Sequence, residues 1–464
     1  MTEEKGKGEQ AKHRSRPWRE NIEAVTMAIV MAVLLKYFVV EAYKIPTGSM
    51  QPTLMGNTET NIHDRILVDK FSYHYRDPER FEVAVFRYPL DRSKNFIKRI
   101  LGMPGEWLRI QDGDLFVRAS ESDPESDPWR ILRRPRPIQR EMLKELDSEA
   151  PWQVDRESRG WKAQERTIEG EGPGAAVYPE PIKDYYTDGY PGAMPAKMKS
   201  RIPRFSLNDV GDVRLEGRVA AREDCTAVEI ELHEGSRRYT WVLPGPAAPP
   251  DAVPRIETRD ESGRVSEREV QAASPWRLRA GRKTRFAAQN LDDLLELSLD
   301  GKWSLELEVP GTSSQSAKVW VRTSGGGARL DRLTLFRDVY YTSDRASKNE
   351  WEIPEGHYFM LGDNTQDSAD SREWSFARFQ LERGDGESEI LRGNLREREN
   401  PLYHDGSIYL RDEFGELHVL PRETPRIHDA SAPTVPRHLI TGRALLVFWP
   451  LRPSLGVYRL KWIH

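Results

Sequence analysis

The segment Tyr43-Lys44-Ile45-Pro46-Thr47-Gly48-Ser49-Met50-Gln51-Pro52-Thr53-Leu54 sets a serine between Gly48 and Met50 and brackets it with two prolines. Stiff prolines and a residue without Cβ make an open turn on which a hydroxyl can be presented to an incoming chain. Taken alone, such a segment reads first as a plain turn, because Gly and Ser dominate turns for reasons unrelated to catalysis. Further on, Asn95-Phe96-Ile97-Lys98-Arg99-Ile100-Leu101-Gly102-Met103-Pro104-Gly105-Glu106 puts a lysine inside an apolar strand that ends in a Gly/Pro turn. Alone, that lysine reads as one that snorkels or pairs with a carboxylate. Together the two segments carry chemistry: a serine hydroxyl needs a base near neutrality, and desolvation lowers an amine's pKa until it can serve. A third segment, Pro354 to Arg372, holds Gly362-Asp363-Asn364 after an apolar strand and then Ser368-Ala369-Asp370-Ser371-Arg372. It is dense in side chains that hydrogen-bond locally, and Asp370 and Arg372 are spaced for a structural ion pair.

These segments, in this order, resemble the type I signal peptidase family, the Ser/Lys endopeptidases that remove signal peptides from exported proteins. The resemblance covers roughly 42–118, 336–377 and 434–464, the last including Val435-Pro436-Arg437-His438-Leu439-Ile440-Thr441-Gly442-Arg443-Ala444. It implies Ser49 as nucleophile and Lys98 as general base, with the Thr47 hydroxyl and the Ser49 backbone N–H forming the oxyanion hole. It further implies that Ser368 orients the lysine amine and that Asp370 and Arg372 form a supporting salt bridge. Tyr43, Ile45, Ile66, Val85, Phe96 and Ile97 would line shallow apolar pockets for the small residues of an Ala-x-Ala signal peptide, since larger side chains would clash there. The chemistry implied needs neither metal nor cofactor, and none of the ten histidines falls at a catalytic position of the resemblance. Two departures stand out: Phe81-Glu82 replaces a frequent Gly-Asp, and long stretches separate Arg118 from Phe336 and Trp374 from Val435.

The elements that must position these residues read as strands. Arg65–Lys70 and Phe81–Pro89 carry β-branched and aromatic residues with partial alternation. From Phe205 to Phe336 the period-two pattern is strong in Val213–Val219, Ala227–Leu232, Leu294–Leu299, Trp303–Val309 and Lys318–Val321, and Asp300-Gly301 between two of these is a hairpin signal. Many short strands point to an antiparallel sandwich, weakly similar to laminin-G and concanavalin-like lectin sandwiches. The expected fold is therefore mainly β: a signal-peptidase-like antiparallel catalytic core, an inserted β-sandwich and one N-terminal transmembrane helix. The expected division begins with a cytoplasmic tail (1–21) and an anchor (22–41). The catalytic core then occupies three separate stretches, 42–118, 336–377 and 434–464. Between them lie an irregular linker (119–204), the sandwich (205–335) and a second insertion (378–433). The tyrosines of the 178–195 run, Tyr185, Tyr186 and Tyr190, read as loop fasteners before they read as a sugar or substrate platform. In the second insertion, Ser407–Leu410 and Leu417–Leu420 read as a hairpin, and the highly charged 382–399 as a solvated segment.

The chain has 464 residues, 74 acidic and 70 basic, and a formal net charge of −4, a balance that argues against a nucleic-acid partner. A mean hydropathy of −0.70 excludes a polytopic membrane protein. The single cysteine, Cys225, excludes an intrachain disulfide. Lys5, Lys7, Lys12, Arg14, Arg16 and Arg19 precede the apolar run Ala24–Val40, which as a helix would rise about 25 Å. The basic flank predicts a cytoplasmic N-terminus and places the rest outside, in the cell membrane with lipid as a partner. A cleaved secretory signal is the competing reading, disfavoured by Lys36. The functional expectation is a membrane-bound signal peptidase acting on signal peptides of exported preproteins. The alternatives are an anchored binding protein whose sandwich takes an unknown ligand on a degenerate core, and a self-cleaving Ser/Lys protein.

Overall fold

The computed structural model describes residues 17–57, 62–120, 127–146, 152–186, 188, 208–259, 265–311, 317–343, 348–382, 388–394, 401–452 and 457–464. Its architecture is dominated by antiparallel sheets. The sheet that carries the Ser49 and Lys98 segments is ordered Val40–Lys44, Arg65–Asp69, Ile440–Trp449, Val83–Tyr88, Asp91–Gly102, His357–Leu361 and Thr434–Pro436, with Lys461–Trp462 beside Ile440–Trp449. Its strands therefore come from three distant stretches of chain. Two buried clusters share it: Ile45, Met50, Leu54, Ile66, Val68, Val85 and Val447 in one, and Phe86, Tyr88, Ile100, Met360, Trp374 and Val435 in the other. A smaller sheet pairs Glu350–Ile353 with Glu106–Gln111, so chain from the two sides of the long insertion meets directly.

The insertion folds as two sheets over one core. One runs Lys162–Gln164, Thr167–Glu169, Ala328–Arg337, Val213–Ala221, Thr284–Leu291, Leu294–Leu299, Lys302–Glu308; the other runs Gln153–Val154, Gly174–Val177, Ala317–Ser324, Ala227–Glu234, Arg237–Pro244, Arg255–Arg259, Val265–Gln271. Alternation produces this directly: Ala227–Glu234 buries every second residue, and Val228, Ile230 and Leu232 share one core with Leu215, Leu297 and Leu330 of the opposite sheet. Asp300 and Gly301, with φ of 49° and 85°, make the hairpin turn between Leu294–Leu299 and Lys302–Glu308. Cys225 is buried there, and burial pushes its thiol up to about 11.

Three expectations change. The stretch 119–204 is not simply irregular: it supplies a short helix, Arg136–Met142, and strands at 130–131, 144–145, 153–154, 162–164, 167–169 and 174–177. Those strands have two to four residues, too few for alternation to register. Within 382–399, Ser388–Gly393 pairs with Ala377–Glu382, so part of that charged run is an exposed edge strand. The expected span 22–41 is also revised. The helix runs Pro17–Leu34, a π-helical turn follows at Leu35–Val39, and Val40 onward pairs with Arg65–Asp69 as a strand. No described helix is long and apolar enough to cross a membrane. Charged Arg19, Glu20 and Glu23 occupy its beginning, and the neighbouring strand draws Val40 and Glu41 into the sheet. Between Ile22 and Leu34 the large apolar side chains stand 49% to 67% exposed.

Gly442 lies on the central strand Ile440–Trp449, where an added Cβ would sit 2.6 Å from the Asp69 carbonyl oxygen and 2.7 Å from Val68 Cγ1. The Gly442→Ala variant is expected to lose about 1–3 kcal/mol. Thermal unfolding checks this, and wild-type stability would show that the strand is not seated in that way.

Candidate active site

Ser49 sits on a tight turn in which Gln51 N–H donates to the Gly48 carbonyl and Leu54 N–H to the Met50 carbonyl. Lys98 lies on Asp91–Gly102, with Ala84 as its cross-strand partner. Lys98 Nζ donates to Ser49 Oγ at 2.6 Å, and the two residues are only 4% and 8% exposed. Thr47 Oγ1 lies 3.5 Å from Ser49 Oγ. A serine hydroxyl, a buried amine and a second hydroxyl thus converge on one point, the kind of arrangement that acyl transfer by a Ser/Lys pair requires.

The residue after the lysine anchors this geometry. Arg99 Nε and Nη2 each bond Asp363 at 2.9 Å, and both residues are wholly buried. Arg99 also donates to the carbonyls of Phe81 and His464 and to Thr53 Oγ1, which itself donates to Asp363 at 2.5 Å. Burial opposes the Arg99 charge, but Asp363 holds the guanidinium above its ordinary range. Next to Asp363, Asn364 N–H donates to the Ser49 carbonyl and Asn364 Nδ2 to the Gly48 carbonyl, both at 3.1 Å. Arg459 secures the other flank, reaching Asp64 and the carbonyls of Pro52 and Thr53.

Ser368, Asp370 and Arg372 are also buried here. Arg372 grips Asp370 at 2.7 and 2.8 Å and donates to the carbonyls of Thr342 and Thr365, while Gly362 N–H donates to Asp370. Burial would raise the Asp370 carboxyl, but the Arg372 charge and these bonds hold it below the usual range. Ser368 Oγ and the Ser49 carbonyl both close on Gly362, leaving no room for a Cβ. The Ser368 hydroxyl faces the Asp370 carboxylate and helps hold its charge.

The family described as "Signal peptidase, peptidase S26" matches residues 18–157 and 331–387. These stretches hold Thr47, Ser49, Lys98, Asp363, Ser368, Asp370 and Arg372. Over these stretches the chain is similar to the S26 signal peptidase family. A probable signal peptidase I-2 of Synechocystis sp. is 40% identical over 112 residues, 23% of this chain and 48% of that protein. Signal peptidase I of Pseudomonas fluorescens is 41% identical over 102 residues, 19% of this chain and 34% of that protein. The chain spans about half or less of the length of these curated relatives. A carbohydrate binding module from Bacillus subtilis is 10% identical, with 40% of this chain and 94% of that one covered and a TM-score of 0.25, a likeness too low to carry argument.

The six expected pocket residues divide between two clusters. Ile45, Ile66 and Val85 are buried in one cluster, with Tyr43 and Ile97 packed against it. Phe96 belongs to the neighbouring cluster, stacked on Tyr88 with centroids 4.4 Å apart, and the Lys98 amine lies 5.9 Å from its ring. Phe81, at the departure from Gly-Asp, has φ of 73°, a left-handed conformation in which glycine would be unstrained. Sequence reading missed the roles of Arg99, Asp363 and Asn364. It also missed Tyr186, whose hydroxyl bonds Asp367 at 3.2 Å and stands 2.8 Å from where a Cβ on Gly48 would lie. Gln366 Nε2 donates to the Asp184 carbonyl at 2.6 Å, so this stretch of the insertion packs on the site as a fastener. Tyr185 is more exposed, and Tyr190 lies outside the described residues.

Replacing Arg99 by Met leaves Asp363 buried and unpaired and is expected to cost about 3–5 kcal/mol in denaturant unfolding. Arg99→Met/Asp363→Leu should recover much of that loss; additive losses would show the pair is not coupled. Because the Asp370 pKa is lowered on folding, its contribution is present above the unfolded carboxylate value, on the order of pH 4, and is lost as pH falls further. Asp370→Asn should therefore weaken the protein at pH 7 and flatten its acid-unfolding curve, which a pH series of melting temperatures reads out.

Proposed function

We propose that this chain is a type I signal peptidase, a serine endopeptidase that cuts N-terminal signal peptides from exported preproteins. The observation that carries the reading is the 2.6 Å contact between Lys98 Nζ and Ser49 Oγ in a buried setting. Neutral Lys98 accepts the Ser49 proton as the serine oxygen attacks the scissile carbonyl. The Ser49 N–H and the Thr47 hydroxyl hold the developing oxyanion. The protonated lysine then gives its proton to the leaving amine, and water, deprotonated by the same lysine, hydrolyses the acyl-enzyme. Ser368 and the Asp370–Arg372 pair shape the wall behind the lysine.

The apolar cluster around Ile45, Ile66 and Val85, with Tyr43, Ile97 and Phe96 at its edge, supports shallow pockets for an Ala-x-Ala sequence. The catalytic unit is drawn from 42–118, 336–377 and 434–464, and the sandwich and second insertion are additions to it. The exposed apolar helix Pro17–Leu34 with its π-helical extension supports attachment to the cell membrane, with the N-terminus cytoplasmic and the catalytic unit on the other face. Removing 1–39 should release the protein from liposomes in a flotation assay, whereas retention would refute the anchor.

The decisive assay is cleavage of a synthetic preprotein. Ser49→Ala and Lys98→Ala are expected to reduce it at least about 10³-fold with the fold intact, while Thr47→Val costs about 10²–10³-fold and Thr47→Ser little. Wild-type protein with no activity would favour a binding protein on a degenerate core, and an active Ser49→Ala would remove the nucleophile assignment.

A further inference from the structure

The sandwich carries a cavity of about 840 Å³ that shares no residue with the Ser49 and Lys98 site. It opens along one edge of the strand Ala328–Arg337, where two short strands divide the pairing. Thr167–Glu169 covers Arg329 and Leu330, and Lys144–Glu145 covers Phe336 and Arg337. Between them Leu333 N–H donates to the Arg166 carbonyl and Leu146 N–H to the Leu335 carbonyl, and the cavity lies in this gap. Trp152, Tyr178, Leu333 and Leu335 line it from the sandwich core, none of them more than 8% exposed.

The charged side chains of the lining do not balance. Five are cationic, Arg166, Arg218, Lys283, Arg329 and Arg332, against Glu145, Glu165 and Asp331. Arg166 is paired with Glu145, Lys283 with Asp331, and Arg329 with Glu169. Among the described residues, no ion pair or side-chain hydrogen bond reaches the guanidinium of Arg218 or Arg332. Arg218 also stands directly opposite Arg285 across the sheet, a like-charge pairing that destabilises unless an anion lies beside it. Arg332 is delivered by a β-bulge: Glu216 pairs with Thr334 and Arg218 with Asp331, so Arg332 and Leu333 together oppose Gly217. Only glycine fits there, since a Cβ would lie 2.9 Å from Leu333 Cδ2 and 3.2 Å from the Asp331 carbonyl oxygen. Arg332 itself has φ of 55°, a left-handed conformation that is costly for a long side chain. The strained bulge thus brings a second guanidinium to the wall that already holds Arg218. The indole N–H of Trp152, on a side chain that lines the same cavity, likewise has no acceptor among the described residues.

We propose that this cavity binds a small organic anion, its carboxylate or phosphate held by Arg218 and Arg332 and its apolar body seated against Trp152, Tyr178 and Leu335. Guanidinium forks match the oxygens of carboxylate and phosphate, and hydrogen bonds between ionised partners are about twice as strong as neutral ones. A concave site with an apolar floor and a few placed polar groups is the form in which small molecules bind, and this volume suits one. The ligand's charge would relieve the repulsion between Arg218 and Arg285, and its body would cover core side chains that the gap in the sheet edge leaves open to water. The site belongs to the inserted sandwich and stands whether or not Ser49 and Lys98 cleave peptides.

The test uses the full chain in a phosphate-free chloride buffer of fixed ionic strength, titrated calorimetrically with phenyl phosphate, benzoate, inorganic phosphate and neutral benzyl alcohol. The expected result is one ring-bearing anion bound per chain, at least about tenfold tighter than inorganic phosphate, and no heat from benzyl alcohol. Whichever of phenyl phosphate and benzoate binds tighter names the head group, phosphate ester or carboxylate. Arg332→Gly removes one guanidinium and suits the left-handed backbone, so it should keep or raise the melting temperature while weakening binding at least about tenfold. Arg218→Gln should weaken binding to a similar degree. Absence of heat with both ring anions, inorganic phosphate or benzyl alcohol bound as tightly as they are, or wild-type affinity in Arg332→Gly or Arg218→Gln would each overturn the proposal. None of these readouts depends on peptidase activity.

Discussion

The buried pair of Arg99 and Asp363 is the constraint on which the site depends. Its members are 264 residues apart in sequence and wholly excluded from water. Such a pair survives only if every remaining donor is satisfied, and Arg99 does this by also gripping Thr53 and the carbonyls of Phe81 and His464. The immediate neighbours of the pair do the positioning: Lys98 precedes Arg99, and Asn364, next to Asp363, holds the carbonyls of Gly48 and Ser49. A single ion pair thus fixes the lysine and the serine turn relative to each other, to within a hydrogen bond.

Much of this was legible in the residues. The Gly48-Ser49-Met50 turn, the lysine in an apolar strand and the Gly362–Arg372 block point to their chemistry because side-chain types and local turn signals are short-range properties. The sandwich was legible for a similar reason: long alternating strands such as Ala227–Glu234 declare which face is buried. Arg99, Asp363 and Tyr186 were not legible as site residues, because their meaning lies in contacts hundreds of residues away that leave no periodic trace. The strands between 144 and 177 escaped notice because two to four residues cannot show a period. The N-terminal helix was overextended because apolar content says nothing of where a neighbouring strand will capture the backbone.

The long insertion is more than an appendage strung on two flexible ends. Glu106–Gln111 and Glu350–Ile353 pair across it, Gly113 bridges Tyr341, and Asp367 and Gln366 lock Tyr186 and Asp184 against the block that carries Ser368. Its hydrophobic core is nevertheless its own, shared between two sheets that need nothing from the catalytic sheet to bury their apolar faces. Independence in the core and dependence at the surface together allow the chain to carry a large domain while the strands that bear Ser49 and Lys98 stay adjacent.

The 264-residue separation of Arg99 and Asp363 also sets a clock. At roughly 5–20 residues per second of synthesis, about 13–50 seconds pass between the emergence of the two partners from the ribosome. During that interval the serine turn and the lysine strand exist without the pair that aligns them, while the sandwich is free to fold. The nascent chain therefore holds its Ser49 turn and Lys98 strand unaligned until the domain lodged in its middle has been made.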